Sequence, residues 1–540
     1  MSASRISRRS LVLGCSLALP VLTRVRAADL KTPMTPEQRQ NFVLETRREA
    51  AEAEFTSNPP VHVTNGDEDR YYDRRASFSK TMPHNGLGEV DPDAYREWLA
   101  ILASGDPAKF DQVPRDAQAV ERLNDPQATY ATDLAGPDAT ALVLPPPPAF
   151  VSPEMAAEMT ELYWLALMRD VPFRHYGSDP LASAAVADLQ AAGFPPVDAA
   201  SLFRGASAGE LRGPFVSQFL WHDIPYGLKT VDQRFPVPMP GQNFLTSFED
   251  WLACQRGAPA KTAVRFNADP RYIATYRSLA EYVHRDFSFQ PFMDAALIIL
   301  RMGGERGDDV LSPTNPYRGS STQFGDITLG NKNLLTLLAQ ASLLAQMTSY
   351  YQKWQVHRRA RPESFGGRIE VHLSGRKSYD IHLSVVHSEG LARSKAANGS
   401  RLLSMAYPEG CPTHPSYPAA HAVNAGACAS ILKAFVNENY VIQHPVEASA
   451  DGTRLESWRG EALTLGGEID KLAGNIALAR DAAGVHFRSD SISGLKLGEA
   501  VAIGLLADYS RTYSERFDGF TLTRFDGDKV RISGGSVQSG

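Results

Sequence analysis

The chain has 540 residues, a formal net charge of −6 and a pI of about 6.1, so its overall charge gives no reason to expect nucleic acid as a partner. With 43% hydrophobic and 21% charged residues, its composition is ordinary for a soluble globular protein, and its length suggests two or more domains. Beyond the N-terminus no apolar stretch reaches the roughly 20 residues that a membrane helix requires, so we expect no membrane span.

The first 27 residues are typical of a twin-arginine export signal. Arg8 and Arg9 precede an apolar run at 11–22, and residues 25–27 end in a small-residue cleavage site. The apolar run before Cys15 is too short to favour a lipoprotein site. We therefore expect residues 1–27 to be removed and the mature protein to be periplasmic or secreted.

The remaining chain divides into three parts by composition. Residues 28–150 are polar and rich in proline, and we interpret them as an arm that wraps the core and ends at Pro145–Pro148. Residues 151–515 show helical periodicity, and residues 516–540 predict a hairpin with its turn at Asp526-Gly527. A short strand or hairpin is predicted at Ile369–Leu373. Helices are predicted at 36–55, 94–103, 153–169, 180–192, 246–256, 270–285, 289–302, 422–436, 468–481 and 491–513, so the fold class is mainly α.

A basic stretch at 353–362, Lys-Trp-Gln-Val-His-Arg-Arg-Ala-Arg-Pro, stands out in this acidic chain. The apolar residues before it recur on one helical face, which places Lys353 near the end of a buried helix that stops at or before Pro362. Taken alone, the stretch is equally explained by basic residues that complement a helix dipole.

Two later segments favour an anion site instead. One is His414-Pro-Ser-Tyr-Pro-Ala-Ala-His421, which leads into an apolar helix, and the other runs from Arg480 through His486 to Asp490. Arginine forks and a lysine from three separate segments are suited to a tetrahedral oxyanion. A proline at the helix start, Pro418, would aim free backbone N–H groups at the same anion.

These three blocks resemble the vanadium-dependent haloperoxidases and, more distantly, the type 2 phosphatidic acid phosphatase superfamily. The superfamily pattern is a lysine with Arg-Pro downstream, then Pro-Ser-Gly-His, then an arginine followed by histidine and aspartate. The wording Lys-Trp-x-Val-His-Arg-x-x-Arg-Pro-Glu from Lys353, and a histidine seven residues before His421, are similar to the algal bromoperoxidases. The resemblance implies two packed four-helix bundles with a few short strands.

The resemblance also implies a role for each residue. His486 would bind vanadium, and Lys353, Arg361 and Arg480 would neutralise the vanadate oxygens. Lys353 would also polarise bound peroxide, and His421 would be the acid–base group. The alternatives are surface salt bridges for the cations and helix-end positions for the histidines.

Three further residues belong to this expected site. His414 would tune the handling of halide, and Tyr350, one turn before Lys353, would face the same pocket or serve only in packing. Asp490 would either orient a histidine or cap a helix beginning at Ser491. The expected partners are hydrogen peroxide, a halide and a small organic acceptor, and the algal relatives suggest a homo-oligomer, a dimer or larger.

One departure from the pattern concerns the second block. The Ser-Gly of the family is Ala419-Ala420 here, so a hydroxyl that would bond the anion is missing, at a cost of roughly 1.5–3 kcal/mol. Ala420 keeps its backbone N–H but adds a Cβ. An acid phosphatase with a phosphohistidine at His486 is the alternative function, because phosphate and vanadate share shape and charge; an inactive binding relative is the third.

Cysteine and the remaining histidines are less informative. Cys411 and Cys428 could form a disulfide in an oxidising compartment or remain buried thiols, and Cys254 is left unpaired. The irregular spacing of His372, His382 and His387 favours scattered histidines over a metal site. Calcium is allowed by the resemblance as a second ion, but no residue here specifies it.

Overall fold

The computed structural model describes residues 33–195, 197–302 and 308–539, and its mainly helical architecture confirms the predicted fold class. The export signal predicted at 1–27 lies outside the described residues. Among the helices that the structure describes, none has the length and apolarity to cross a bilayer. The helices are α1 Pro36–Phe55, α2 Asp67–Arg70, α3 Pro92–Ser104, α4 Pro107–Phe110, α5 Pro153–Met168, α6 Pro180–Ala191, α7 Phe248–Gln255, α8 Tyr276–Arg285, α9 Gln290–Met302, α10 Asn331–Tyr351, α11 Pro362–Leu373, α12 Leu383–Val386, α13 Glu389–Asn398, α14 Ala420–Phe435, α15 Leu465–Ala482 and α16 Arg488–Tyr509.

Short antiparallel strands are the minor component of the described chain. They are β1 Ile224–Tyr226 with β2 Lys229–Val231, β3 Val446–Ala448 with β4 Leu455–Ser457, and β5 Phe520–Thr523 with β6 Lys529–Ser533 and β7 Ser536–Ser539. The predicted C-terminal hairpin is confirmed as β5 and β6, with Gly527 at a positive φ of 92° in the turn. The pairing of β7 with β6 was not predicted.

The predicted helices begin where local chemistry favours a start. Pro36 and Pro153 occupy the first helical position, and the preceding Thr35 and Ser152 accept hydrogen bonds from backbone N–H groups of the first turn. These signals explain why the predicted starts of α1 and α5 match the observed ones.

The strand predicted at Ile369–Leu373 is wrong, because this segment is the second half of α11. Its two β-branched residues, Ile369 and Val371, are fully buried, and a short apolar run of this kind does not by itself separate strand from helix. The helix begins at Pro362, with Glu363 in its first turn, and this start signal determines the conformation of the residues that follow.

A four-helix bundle of α10, α14, α15 and α16 forms the centre of the molecule. Every residue of α14 except His421 is buried, which makes α14 the central helix. A second group packs around α5, with α6, α12 and α13 against it, and α5 also contacts α15 of the central bundle. The N-terminal ends of α14 and α16 carry the second and third blocks of the anion motif, so the bundle brings them side by side.

The cysteines in the described part of the chain are buried free thiols. Cys254, Cys411 and Cys428 form no disulfide, so the alternative in which Cys411 pairs with Cys428 is not realised. The thiol of Cys428 faces the carbonyl of Leu338 on α10, at 3.7 Å. That of Cys411 faces the carbonyl of Gly484, at 3.8 Å.

Glycines allow α14 and α16 to approach each other closely. A Cβ built on Gly498 would lie 1.9 Å from the carbonyl oxygen of Val423, and one built on Gly426 would lie 2.0 Å from that of Leu495. These neighbours are backbone atoms, which cannot rotate away. The two helices that carry the anion motif are therefore fixed at a short separation.

Replacing one of these glycines should separate the helices. We expect Gly498→Ala to destabilise the protein by about 1–3 kcal/mol, because the added methyl group overpacks the contact between α14 and α16. The free energy of unfolding from urea titration measures this loss. Lys496→Ala, at an exposed position of the same helix, is the control, and equal stability of the two variants would contradict the prediction.

Candidate active site

The basic stretch leaves α10 through an unusual turn. Residues Gln352–His357 continue α10 as a π-helical turn, which ends at Arg358 with a left-handed φ of 40°. Lys353 lies in this turn and is fully buried. Its Nζ donates hydrogen bonds to the carbonyl oxygens of Pro415 at 2.8 Å and Ser416 at 2.9 Å. The first block of the motif is thus bonded directly to the second.

Arg361 connects the second block to the third. It lies at the N-cap of α11, and its Nε donates to the carbonyl of His414 at 2.9 Å. Its Nη1 donates to the carbonyl of Val485 at 2.8 Å and to Nε2 of His486 at 2.9 Å. The guanidinium of Arg361 therefore lies between the two histidine-bearing segments.

Arg480 completes the cationic group from the last turn of α15. Its Nη1 donates to the carbonyl of Val283 at 3.0 Å, and its guanidinium lies 5.6 Å from the centre of the Tyr407 ring. Its buried Nε has no hydrogen-bond partner among the described residues. Burial, followed by the charge of Arg361 and then of Arg480, holds the pKa of Lys353 well below its usual range.

The three cations lack a counter-ion in the described part of the chain. Their hydrogen bonds go to carbonyl, imidazole and phenol groups, and none of them pairs with a carboxylate. A buried charge without a partner costs several kcal/mol, and neighbouring like charges raise that cost. A bound anion would offset the cost, and the unpartnered Nε of Arg480 is a free donor for it.

His486 presents one ring nitrogen to these cations. Its Nδ1 is 3.0 Å from Oδ2 of Asp490, and burial together with Arg361 holds its pKa well below the usual value. A neutral ring that donates from Nδ1 to a carboxylate keeps its lone pair on Nε2. That lone pair accepts the hydrogen bond from Nη1 of Arg361, a bond that a metal ligated by Nε2 would replace.

Of the two roles that the sequence left open for Asp490, the structure shows the contact with a histidine, and the N-cap of a helix beginning at Ser491 is wrong. Its Oδ2 accepts from His486 and also from the backbone N–H of Phe487, at 3.0 Å, at the start of α16. The helix begins at Arg488 rather than Ser491, so Asp490 lies in its first turn and not at its N-cap. Burial would raise the pKa of Asp490, but the charge of Arg359 and the hydrogen bonds from His486 and Ser416 together outweigh burial and hold this pKa well below its usual range.

His421 lies at the open side of the site. It is the one residue of α14 that is not buried, with its side chain 25% exposed, and its Nε2 is 3.1 Å from Oδ1 of Asp286 at the end of α8. The same end of α8 supplies the Val283 carbonyl that holds Arg480. The predicted acid–base histidine and the third cation are thus attached to one helix end.

Ala419 and Ala420 form the start of α14. Ala419 is its N-cap, with the backbone N–H donating to the carbonyl of Asp490 at 3.0 Å and with no side-chain capping bond. Ala420 belongs to a small apolar cluster that includes Tyr350 and Trp354. Pro418 precedes the N-cap instead of opening the helix, and α14 begins at Ala420, two residues before the predicted range of 422–436. The free N–H groups of the first turn remain available to an anion.

His414 and Tyr350 line the inner side of the site. His414 is buried, with Nδ1 at 2.9 Å from Nη2 of Arg361, and its ring centre is 5.4 Å from that of Tyr350. Burial and the charges of Lys353 and Arg361 hold the pKa of His414 well below the usual value, so its ring is neutral. Tyr350 both packs in the apolar cluster and faces the site.

The other histidines stand apart from this centre. His372 accepts a hydrogen bond from the backbone N–H of Tyr379, and His382 caps α12. No group of three or more histidine, cysteine or acidic side chains with metal-site geometry occurs in residues 33–195, 197–302 and 308–539. Calcium therefore stays an untested expectation from the resemblance.

Three residues of the site escaped sequence analysis. Asp286 comes from α8, whose sequence carries no anion-binding signal. Arg359 and Ser416 lie inside the quoted blocks, but spacing does not show where their side chains point. Both contact Asp490, with Arg359 Nη1 at 2.7 Å from Oδ1 and Ser416 Oγ at 2.5 Å from Oδ2.

The N-terminal arm holds the Lys353 turn from outside. Trp354 is fully buried against Trp98 and Phe78, with ring centres 5.4 Å and 5.6 Å away. Arg358 donates to both carboxylate oxygens of Glu68 at 2.8 Å and 2.6 Å. Its Nη1 also donates to the carbonyls of Trp354 and Gln355 at 2.9 Å. The helix-end interpretation of the basic stretch therefore applies to Arg358, while Lys353 and Arg361 turn inward.

Fold and site together define a helical-bundle protein with a deeply buried group of cations at its centre. A model of the VCPO second helical-bundle domain matches residues 334–515, which contain all three motif blocks. The chain is 34% identical to a vanadium-dependent bromoperoxidase of Ascophyllum nodosum, over 93% of this chain and 94% of that protein. It is 31% identical to one of Corallina pilulifera, over 92% and 99%. The chain belongs to the vanadium-dependent bromoperoxidase family.

A solved structure agrees with this assignment. The second vanadate-dependent bromoperoxidase of Ascophyllum nodosum, described as homohexameric, superposes with a TM-score of 0.89. It has 27% sequence identity, and the match covers 99% of this chain and 96% of that one. The arm and the C-terminal strands are therefore part of the shared fold, together with the bundle.

The contact between arm and turn can be tested at Glu68. The pKa of Glu68 is lowered, because its bonds to Arg358 outweigh burial, so the stabilisation is complete above the ordinary value of 4.5 and is lost as the pH falls below it. We expect Glu68→Gln to cost about 1.5–3 kcal/mol at pH 7 and progressively less below pH 4.5. Urea unfolding across this pH range measures the difference.

Glu45→Gln, at an exposed position of α1, provides the matched control and should leave stability nearly unchanged at every pH. A deficit in Glu68→Gln that is independent of pH would contradict the ion-pair explanation.

Proposed function

We propose that the protein is a vanadate-dependent haloperoxidase that oxidises bromide or iodide with hydrogen peroxide. The product is hypohalous acid or its equivalent, which halogenates organic acceptors. The observation that carries the proposal is the buried group of cations around Nε2 of His486 without a carboxylate partner. Family membership and the match to vanadium bromoperoxidases support the same choice.

The residues present fit vanadate. His486 would hold the metal through Nε2, and Lys353, Arg361 and Arg480 would neutralise its oxygens. The free N–H groups at the start of α14 add a partial positive charge on the same side. The chemistry that vanadate supplies when bound is activation of hydrogen peroxide for the two-electron oxidation of a halide.

The protein groups contribute fixed charge and one proton site. Lys353 and Arg361 are held by backbone carbonyls before any ligand arrives, so their charge is already in place as negative charge develops. His421, whose Nε2 contacts Asp286 and which lies partly in solvent, would be the acid–base group that exchanges a proton with peroxide. His414, neutral and bonded to Arg361, would adjust halide handling from the inner side.

We propose two properties of the whole protein. Export by the twin-arginine pathway to the periplasm or the medium is supported by the N-terminal signal at residues 1–27. A homo-oligomer is supported by the hexameric assembly of the Ascophyllum relative. Size-exclusion chromatography with light scattering tests the second property.

The function is tested by a paired assay on the folded protein. Vanadate-loaded protein with peroxide and bromide or iodide should halogenate a dye acceptor, and His486→Ala should reduce the rate to the uncatalysed background, because it removes the metal ligand. Vanadium uptake, measured by metal analysis after dialysis, should fall in parallel. His175→Ala, which replaces an exposed histidine distant in sequence from the three motif blocks, should behave as the wild type.

Absence of vanadium uptake by the wild type at saturating vanadate would overturn the proposal. Hydrolysis of a phosphate ester without vanadate, and without any halide oxidation, would instead support the acid phosphatase of the type 2 phosphatidic acid phosphatase superfamily.

The alanine at the family serine position gives a second prediction. Ala419→Ser should tighten vanadate binding about ten- to a hundredfold, the equivalent of a charge-assisted hydrogen bond of roughly 1.5–3 kcal/mol. ⁵¹V NMR titration measures the dissociation constant. Because Ala419 is also the N-cap of α14, serine should add about 1 kcal/mol of stability without any ligand. Tighter helix capping with unchanged vanadate affinity would mean that another donor already fills this position.

A further inference from the structure

Arg359 differs from its neighbouring arginines in its direction. It is buried, yet its guanidinium turns away from the cationic centre. Its Nη1 donates to Oδ1 of Asp490 at 2.7 Å and to Oγ of Ser489 at 2.8 Å. Its Nη2 donates to Glu158 of α5 at 3.2 Å, and its plane lies 4.2 Å from the centre of the Phe487 ring. These contacts surround the segment that carries His486.

Ser416 binds the other oxygen of the same carboxylate. Its Oγ donates to Oδ2 of Asp490 at 2.5 Å, and its backbone N–H donates to the carbonyl of Arg359 at 2.9 Å. Its carbonyl accepts from Lys353. Asp490 thus receives hydrogen bonds on both oxygens, and the same serine fixes the lysine of the anion site.

Asp490 is a carboxylate that would compete with an incoming anion for the cations. It interacts electrostatically with both Lys353 and Arg361. Without an ion pair on Oδ1, this buried carboxylate would be attracted to those unpaired cations. Arg359 supplies the ion pair on the far side, and Ser416 and His486 occupy Oδ2.

We propose that Arg359 and Ser416 are positioning residues, which hold the Asp490 carboxylate on the Nδ1 side of His486 and out of the anion site. Through that carboxylate they keep the His486 proton on Nδ1 and the Nε2 lone pair directed at the anion. The proposal rests on the proposed function only in taking that anion to be vanadate. It adds residues that the motif does not specify, since position 359 is unassigned in the pattern quoted above and Ser416 precedes the Pro-x-x-His block.

The arginine fork is required at position 359. Two of its nitrogens serve four partners, Asp490, Ser489, Glu158 and the sulfur of Met155, and a lysine ammonium on a flexible stem does not reproduce that planar arrangement. Arg359→Lys therefore keeps the charge but loses the geometry. Ser416→Ala removes one donor to Asp490 and leaves the ion pair intact.

The test compares these two variants with matched controls, Arg368→Lys and Ser430→Ala. Arg368 is an equally buried arginine that donates to the carbonyls of Leu87 and Gly88, and the hydroxyl of Ser430 bonds only within α14. Vanadate affinity is measured by ⁵¹V NMR titration. The tautomer of His486 is read in vanadate-free protein from imidazole ¹⁵N shifts, assigned by their loss in His486→Ala.

We expect both variants to weaken vanadate binding about 10–100-fold and to shift the His486 signals away from the Nδ1–H form, with neither change in the controls. Wild-type affinity and an unchanged His486 tautomer in folded Ser416→Ala and Arg359→Lys would overturn the proposal. If Arg359→Lys does not fold, Ser416→Ala decides. If the variants change the His486 tautomer but even the wild-type protein takes up no vanadate, the positioning role is upheld and the proposed function fails.

Discussion

Positive charge concentrated at one buried point is the constraint on which the rest of the structure depends. Lys353, Arg361 and Arg480 come from three distant parts of the chain, and each is withdrawn from water. Such a group is costly, since each buried charge loses hydration worth several kcal/mol and the three repel one another. It persists because the surrounding helices are fixed, with backbone carbonyls holding the side chains and glycines locking α14 against α16.

The arginines near the centre differ in whether they have an acidic partner. Arg358 and Arg359 are neighbours of Arg361 in sequence, but each is neutralised by an acid, Glu68 for the first and Asp490 with Glu158 for the second. Acidic partners are thus present close by but are bound outside the centre. Lys353, Arg361 and Arg480, by contrast, have no carboxylate partner among the described residues, so their charge is already in place where an anion is expected, which is how electrostatic preorganisation is built into a fold.

Much of the fold could be read from the sequence. Proline and capping residues located α1 and α5, and the apolar spacing before Lys353 located α10. The segment at Ile369–Leu373 was misassigned, because five residues with two β-branched side chains fit both the two-residue period of a strand and the 3.6-residue period of a helix. The π-helical turn at Lys353 was also out of reach, since its geometry depends on contacts with the arm.

The candidate site was also only partly predictable from the sequence. The order and spacing of the blocks predicted which cations and histidines converge, because they carry a pattern along the chain. Asp286, Arg359 and Ser416 could not be assigned, since their importance lies in the direction of a side chain or in a helix that packs nearby only after folding. Asp490 shows a further limit, as one carboxylate serves a histidine and a helix start at once.

Because Trp354 packs against the N-terminal arm, a fragment that keeps the centre intact must extend beyond the matched domain. The domain matched at residues 334–515 contains every cation and histidine of the centre, yet Trp98, Phe78 and Glu68 all lie outside it. A fragment excised at those limits would expose an indole to water immediately beside Lys353. Glu68 and Arg358 are 290 residues apart in the chain. A design that places this centre in another scaffold must therefore also include the residues of the arm that enclose it.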